Sequence, residues 1–334
     1  MKRYLLAAAA MLALAAPAAA QTEVKFALDW KFEGPAAPFL IAVDKGYFKD
    51  EGLNVAIDTG QGSVQGITRV ASGTYPFGFA DINSLIKFRD QNPDKPVTAI
   101  LMFYDVPPFA IVTLAKTGIN APKDLEGRVL GAPAPDGAFA QWKAFVHENK
   151  IMADKVNIKN VGFPVREPML AAGEVDAITG FSFSSYFNLK AKGVADKDIK
   201  VLLMSDHGLV LYGNAVLVNP DYAKANPKAV RGLVKAIIRG TQDTIKDPAA
   251  AVKAVMKRNE IGDEQVELDR LKMAIKDNIA TPWVKANGFG GVDMARMAKS
   301  IDQLALTFDF KSKPKAEDNF DPQYLPPKAE RMLP

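Results

Sequence analysis

The sequence predicts an α/β protein of two lobes, in which each lobe is a sheet flanked by helices and two crossover strands join the lobes. After Thr22, short apolar runs typical of strands alternate with stretches of helical spacing. The alternation occurs in two successive series, and from Asn226 onward the pattern is mostly helical. A chain of 334 residues is long enough for two domains. A strand–helix alternation favours a parallel sheet covered by helices on both faces.

The individual elements follow from these patterns. In the first series, strands are predicted at Val24–Leu28, Asn54–Asp58, Phe77–Ala80 and Val97–Phe103, and helices at Ala36–Lys45, Val64–Ser72 and Asn83–Asp90. In the second series, strands are predicted at Val129–Ala132, Ile158–Val161, Ala177–Thr179, Val201–Met204 and Ala215–Val218, and helices at Ala138–Asn149 and Glu167–Ala172.

The helices predicted after Asn226 need a sheet to pack against, which suggests that the chain returns to the first lobe after it has formed the second. We expect lobe 1 to contain residues 21–110 and 216–310, and lobe 2 to contain residues 111–215, with the crossover strands near Ile111 and Val216. The segment 311–334 is rich in Lys, Pro and Asp and is expected to cross the surface as an extended tail.

The amino terminus predicts export. Lys2 and Arg3 precede an apolar run from Leu5 to Ala16, and small residues at 18 to 20 stand before Gln21. This pattern is typical of a secretory signal peptide covering residues 1–20, so the mature protein is expected in a periplasm. The sequence has no cysteine, which excludes disulfides and lipid attachment through a cysteine. Its net charge of +4 is spread without a basic block, so no nucleic-acid partner is predicted.

The turn after the first strand is the strongest candidate for a binding site. Ligands of open α/β sheets lie outside the carboxyl ends of the strands, and here Trp30 and Glu33 precede Gly34 and Pro35. Trp30 could offer a flat ligand a stacking surface, with Glu33 as a hydrogen-bond acceptor. The alternative is that Trp30 only packs over the end of the sheet.

The glycine-rich turn at 60–66 does not fit a dinucleotide fingerprint. Gly60, Gly62 and Gly66 have one residue too many before the third glycine. Ser63 lies near a helix start, where it either caps the helix or helps backbone N–H groups to hold a polar ligand atom.

Other strand ends carry polar and aromatic side chains that suit a cleft around a small ring. The further candidates for ligand binding are Asp81, Asn83, Asp136, Phe139, Phe183, Tyr186 and Tyr212. For any one of the aromatic residues, a place in the core is the alternative interpretation, and for Asp81 and Asn83 the alternative is a cap on the helix that follows. Arg166 is interpreted as a solvated charge, although it could meet a carboxylate or sulfonate.

No catalytic, metal or cofactor site is predicted. The two histidines, His147 and His207, lack a partner pattern for metal or nucleophile chemistry, and both are expected at the surface. No phosphate-loop lysine motif and no His-Glu helix motif occurs in the sequence.

Six segments, in this order over nearly the whole mature chain, resemble one family. They are "APFLIAVDKGYFKDEGLNV", "RVASGTYPFGFAD", "INAPKDLEGRVLGAP", "MLAAGEVDAITGF", "NPKAVRGLVKAIIRG" and "NFDPQYLP". The family comprises solute receptors of ABC importers, including nitrate-, taurine-, alkanesulfonate- and formylaminopyrimidine-binding proteins, and is related to eukaryotic thiamine-pyrimidine synthases. The resemblance implies a type II periplasmic binding protein fold whose two lobes close on a ligand.

The resemblance also implies a partner and a class of solute. The partners would be a small solute and an inner-membrane ABC permease, with the receptor expected to be a monomer. Acidic groups beside Trp30 and Phe183 favour a neutral or cationic aromatic such as an aminopyrimidine, a thiamine precursor, because a carboxylate near an incoming anion costs binding energy. A receptor for sulfonate, nitrate or an aromatic carboxylate, or a sensory receptor, is the alternative. The synthases rely on a cysteine-rich iron-binding segment that this sequence lacks, so no enzyme is expected.

Overall fold

The strands of this protein form two separate five-stranded sheets. The computed structural model describes residues 21–334, and the predicted signal peptide lies outside the described residues. The strands within residues 21–334 are β1 Thr22–Ala27, β2 Leu53–Asp58, β3 Phe77–Asp81, β4 Thr98–Met102, β5 Phe109–Leu114, β6 Val129–Ala132, β7 Asn157–Asn160, β8 Ala177–Phe181, β9 Ile199–Leu203 and β10 Asn214–Val218. The first sheet has the order β2-β1-β3-β10-β4, and the second has the order β7-β6-β8-β5-β9.

Each sheet is mixed, whereas the alternation of strands and helices predicted parallel sheets. β10 runs antiparallel to β3 and β4, and β5 runs antiparallel to β8 and β9, while the other pairs are parallel. The reason is the route of the chain between the sheets. The first crossover segment, residues 103–108, leaves the carboxyl end of β4, and the second, residues 204–213, leaves that of β9. A strand that enters a sheet at the carboxyl end of its neighbours must run against them.

Helices cover both sheets. They are α1 Ala37–Asp44, α2 Tyr47–Asp50, α3 Ser63–Ala71, α4 Ile82–Gln91, α5 Gly137–Ala140, α6 Trp142–Glu148, α7 Phe163–Ala172, α8 Ser182–Ala191, α9 Pro220–Ala225, α10 Pro227–Lys246, α11 Pro248–Met256, α12 Glu264–Ala274, α13 Pro282–Asn287, α14 Met294–Ala305 and α15 Ala316–Asn319. The predicted helix 138–149 is therefore two helices separated at Gln141, and the helix predicted from Glu167 begins four residues earlier.

The helices that follow β10 pack with the first sheet. Residues of α1, α10 and α11 share one buried apolar cluster with β1, β3 and β10. The approach of α10 to α1 is close, because a Cβ at Gly240 would lie 2.2 Å from the backbone oxygen of Pro38. Only glycine leaves room for that contact.

The C-terminal segment is less extended than the sequence predicted. Residues 311–334 contain α15 and two short 3-10 helices, Pro322–Tyr324 and Lys328–Arg331. Asp90 anchors the segment, since its carboxylate accepts hydrogen bonds from the backbone N–H groups of Lys311 and Ser312, each at 2.7 Å. Phe320 is buried and pairs with Ala99 of β4. Buried side chains such as Phe320 and Tyr324 hold the segment against the rest of the protein.

Candidate functional site: a cleft between the two sheets

A cleft lies where the carboxyl ends of the two sheets face each other. It contains about 630 Å³ of empty space, including its mouth. The side of the first sheet contributes residues that follow β1, β2 and β4, and the side of the second sheet contributes residues that follow β6, β7 and β8. The lining is formed by Leu28, Asp29, Trp30, Lys31, Glu33, Pro35, Ala36, Phe39, Gly62, Ser63, Phe79, Tyr104, Asp136, Gly137, Phe163, Arg166, Phe181, Phe183 and Ser184.

Aromatic side chains meet across the cleft from opposite sides. The rings of Trp30 and Phe163 make an edge contact with centroids 4.7 Å apart, and Tyr104 and Phe183 lie 5.9 Å apart. The indole N–H of Trp30 donates a hydrogen bond of 3.1 Å to Oε1 of Glu33. Trp30 is half-buried rather than fully packed into the core. A flat ligand that entered between these rings would find apolar faces on both sides.

Glu33 is already supplied with donors. Its Oε2 accepts a hydrogen bond of 3.1 Å from the hydroxyl of Ser184 and lies 3.0 Å from Nη1 of Arg270. Ser184 belongs to α8, on the side of the second sheet, so this carboxylate joins the two sides of the cleft. The arrangement differs from the sequence interpretation, in which Glu33 was an open acceptor for the ligand.

Asp29 is a buried carboxylate in the cleft wall without a basic partner among its hydrogen bonds. Its Oδ2 accepts hydrogen bonds from the amide of Asn214 at 2.6 Å and from the hydroxyl of Ser63 at 3.3 Å. Burial raises the pKa of Asp29 to about 7, more than those two hydrogen bonds lower it. Near neutral pH this side chain can therefore present either a carboxylate or a protonated carboxyl group to the cleft.

Arg166 is not the solvated charge that the sequence suggested. It is 2% exposed, lines the cleft and donates from Nη2 to Oε1 of Glu167 at 2.6 Å. Its Nη1 lies 3.9 Å from Oδ2 of Asp136, which also accepts a hydrogen bond of 2.9 Å from Thr179. Burial raises the pKa of Asp136 despite the nearby guanidinium. The helix α7 turns Arg166 inward, and paired carboxylates compensate its charge.

Five predicted site residues lie in the cleft wall: Trp30, Glu33, Ser63, Asp136 and Phe183. Their role in ligand binding stays a prediction. The other five, Asp81, Asn83, Phe139, Tyr186 and Tyr212, are not among the residues that line it.

Asp81 and Asn83 are structural groups beneath the cleft. The carboxylate of Asp81 caps α4 by accepting from the backbone N–H groups of Asn83 and Ser84, at 3.0 and 2.8 Å. It also accepts a hydrogen bond of 3.0 Å from Gln141, on the side of the second sheet. The amide of Asn83 donates to the backbone oxygen of Tyr212 at 2.7 Å. Both side chains were predicted to bind a ligand because they stand at a strand end, but in the structure their polar groups bond to other parts of the protein.

The three aromatic residues outside the cleft pack elsewhere. Tyr212 is fully buried, and its hydroxyl accepts a hydrogen bond from the backbone N–H of Asp293 at 2.8 Å. Phe139 packs against an apolar cluster shared by the two sheets, and Tyr186 lies with its edge against Phe187. Side-chain direction, which sequence position does not specify, separates them from the cleft.

Three aromatic lining residues outside the predicted set carried a usable signal in the sequence. Phe163 comes three residues after β7 ends, and Phe181 is the last residue of β8, so the strand-end rule applies to both. Tyr104 lies two residues after β4 ends, so the same rule applies to it.

No group of three or more His, Cys, Asp or Glu side chains within residues 21–334 is arranged to hold a metal ion. His147 is exposed and His207 is half-buried. None of the helices in the same range is long and apolar enough to cross a bilayer.

The sequence matches a known protein family. The sequence model of the NMT1/THI5-like family matches residues 35–251, which include Phe163, Arg166 and most of the cleft wall. The chain belongs to this family.

Curated relatives of this NMT1/THI5-like protein include receptors and enzymes. It is 25% identical to the formylaminopyrimidine-binding protein of Halalkalibacterium halodurans, over 89% of each chain. It is 26% identical to the riboflavin-binding protein RibY of Chloroflexus aurantiacus, over 73% of this chain and 69% of that one. It is also 23% identical to the 4-amino-5-hydroxymethyl-2-methylpyrimidine phosphate synthase of Aspergillus parasiticus, over 80% of this chain and 82% of that one.

Solved structures show the same fold. The periplasmic aliphatic sulphonate binding protein SsuA of Escherichia coli superposes with a TM-score of 0.70, 12% identity, and coverage of 89% of this chain and 97% of that one. The periplasmic nitrate-binding protein NrtA of Synechocystis PCC 6803 gives a TM-score of 0.70 at 12% identity, with coverage of 91% and 87%. The NMT1/THI5-like protein therefore has the two-sheet α/β fold of periplasmic binding proteins, which confirms the predicted fold class.

Proposed function

We propose that this protein is the periplasmic substrate-binding protein of an ABC importer, and that it captures a small aromatic, nitrogen-containing solute of pyrimidine type. The observation that carries the proposal is the pair of Trp30 and Phe163, whose rings meet edge-on from opposite sides of a cleft with acidic walls. The name of the relative from H. halodurans supports a pyrimidine as solute. The cleft would close around the ring and release it to the permease after reopening.

The charges in the wall favour a neutral or cationic ring with N–H donors. Asp29, Glu33 and Asp136 supply three carboxyl groups, whereas the buried Arg166 is already paired with Glu167. An anion such as nitrate or a sulfonate would meet the carboxylate of Asp29, whose hydrogen bonds come from Asn214 and Ser63 and not from a cation, at a cost in binding free energy. Ser63, Asp136 and Phe183 would add polar and apolar contacts to the ring held by Trp30.

The remaining parts of the proposal concern export, boundaries and chemistry. Removal of residues 1–20 would deliver a monomer to the periplasm, with the lobes divided at the two crossover segments. The protein would not catalyse a reaction, although some relatives are named as synthases. The absence of cysteine from the sequence supports this, because the synthases that the family resembles rely on a cysteine-rich iron-binding segment.

Calorimetry with a panel of solutes tests the proposal. The panel contains an aminopyrimidine, riboflavin, taurine and nitrate, each titrated into the mature chain after unfolding and refolding to remove any retained ligand. We expect the aminopyrimidine to bind and taurine and nitrate not to bind. Tight binding of taurine or nitrate alone would overturn the proposed class of solute.

The role of Trp30 has a matched test within the same chain. Trp30→Ala should weaken binding of the aminopyrimidine at least ~10-fold, because a lost stacking contact is worth about 1.4 kcal/mol or more. Trp283→Ala is the control, since Trp283 is also half-buried but belongs to α13, away from the cleft wall. Equal affinities in the two variants would contradict the assignment of Trp30.

A further inference from the structure

A series of polar contacts connects the indole of Trp30 to a buried arginine outside the cleft wall. Trp30 donates to Oε1 of Glu33, and Oε2 of the same carboxylate lies 3.0 Å from Nη1 of Arg270. Arg270 belongs to α12 and is 3% exposed, and it is not among the residues that line the cleft. The position of the indole therefore depends on a carboxylate whose charge is balanced by this arginine.

Arg270 also reaches the other side of the cleft. Its Nη1 donates to the backbone oxygen of Ser184 at 3.2 Å, and its Nη2 donates to Oδ1 of Asn188 at 3.1 Å. Both partners lie on α8, which packs with the second sheet. Ser184 uses its hydroxyl to donate to Glu33 as well. Two of these hydrogen bonds join α8 to α12 and the third joins α8 to Glu33 in the turn after β1, so all three break if the sides of the cleft separate.

The backbone around Glu33 is built to hold α12 at this distance. The N–H of Gly34 donates to Oε2 of Glu267 at 2.5 Å, and the same oxygen lies 3.1 Å from Nε of Arg270. A Cβ at Gly34 would lie 2.2 Å from the backbone oxygen of Glu267. Glycine is thus required next to Glu33 for α12 to approach, and the approach brings Arg270 between two carboxylates.

We propose that Arg270 is a positioning residue for solute binding, which fixes the Trp30 indole through Glu33 and does so fully only while α8 is in place. This inference rests on the proposed function, since it assumes that Trp30 holds the solute. Without the guanidinium, Glu33 and Glu267 are two buried carboxylates with no cation between them, and their repulsion turns Glu33 toward solvent. Its hydrogen bond to the indole is then weakened. In the open cleft the arginine retains its carboxylates and loses α8, which leaves the indole freer than in the closed cleft.

The test measures Trp30 directly, in the protein without ligand. The three tryptophans are replaced biosynthetically by 5-fluorotryptophan, and the Trp30 fluorine resonance is assigned by its loss in Trp30→Phe. Arg270→Gln should shift and broaden the Trp30 resonance while the resonances of Trp142 and Trp283 stay in place. Arg270→Lys keeps the charge but not the fork of donors, and it should give a smaller shift. Arg258→Gln is the control, because Arg258 pairs with Asp44 on the same side of the cleft and does not contact Glu33.

Binding kinetics of the aminopyrimidine form the second measurement. Arg270→Gln should raise the dissociation rate constant at least ~5-fold with little change in the association rate constant, and Arg270→Lys should restore part of the difference. If Arg270→Gln does not fold, Arg270→Lys and Ser184→Ala carry both measurements. An unchanged Trp30 resonance in every folded variant would overturn the inference. Failure of every solute to bind the unaltered protein would instead refute the proposed function, and the fluorine spectra would still decide the role of Arg270.

Discussion

Asp29→Asn should remove a pH-dependent loss of stability that we expect in this protein on going from acid to neutral pH. Burial raises the pKa of Asp29 from its ordinary value of 3.8 to about 7. Between these values the folded protein binds a proton that the unfolded chain releases, so the stability from this group is present below the lower pKa and is lost as the pH rises through the upper one. At about 1.4 kcal/mol per pKa unit, the rise corresponds to about 4 kcal/mol, of which about 3 kcal/mol falls between pH 5 and pH 8.

The assay is urea unfolding of the original protein and of the variant at pH 5 and pH 8. The free energy of unfolding of the variant, relative to the original, should increase by about 3 kcal/mol between the two pH values. Asp81, whose pKa burial raises to about 6, titrates in both proteins and largely cancels in this comparison. Asp94→Asn, at an exposed aspartate, is the control and should show no such change. A difference of the opposite sign, or one as small as in the control, would refute the reasoning.

Three other perturbations give further tests. Gly34→Ala should lower the free energy of unfolding, measured by urea unfolding, by about 3 kcal/mol, because the added methyl group collides with the backbone of α12. Gly162→Ala is the control and should be nearly neutral, because the atom nearest to the added methyl group is 3.6 Å away. Asp90→Ala should release the C-terminal segment, and trypsin should then cut at Lys311 faster than in the original protein; an unchanged rate of cleavage would show that Asp90 does not anchor the segment. Arg296 donates to backbone oxygens in both crossover segments, each at 2.6 Å. Arg296→Gln should therefore lower the free energy of unfolding by about 2 kcal/mol, measured by thermal unfolding. An unchanged melting temperature would show that these hydrogen bonds contribute little to stability.

Much of the secondary structure could be predicted from local patterns in the sequence. Strands that are buried on both faces, such as β3 and β10, appear as short continuous apolar runs, and proline near a helix start appears at α9, α10 and α11. These signals depend on neighbouring residues, so they are readable without tertiary structure. The direction of β5 and β10 was not readable, because it depends on the side from which the chain enters each sheet.

The residues of the candidate cleft were likewise predictable only in part. Trp30, Glu33 and Ser63 were predictable because a residue that follows a strand of an open sheet has its place set by the strand itself. Arg166 and Arg270 were not, since both lie on helices and a charged residue there is usually solvated. Glu33 becomes recognisable as the partner of Arg270 only when the elements pack, and packing also buries Arg166 with its neighbour Glu167.

By itself, the sequence determined which segments are strands and helices, and which side chains stand at strand ends, because both follow from contacts between near neighbours in the chain. Only the tertiary structure decided which of those side chains face the cleft. Glu33 and Arg270 are 237 positions apart in sequence and 3.0 Å apart in space. A pairing of that kind depends on how α12 is seated against Gly34, and no local pattern encodes it.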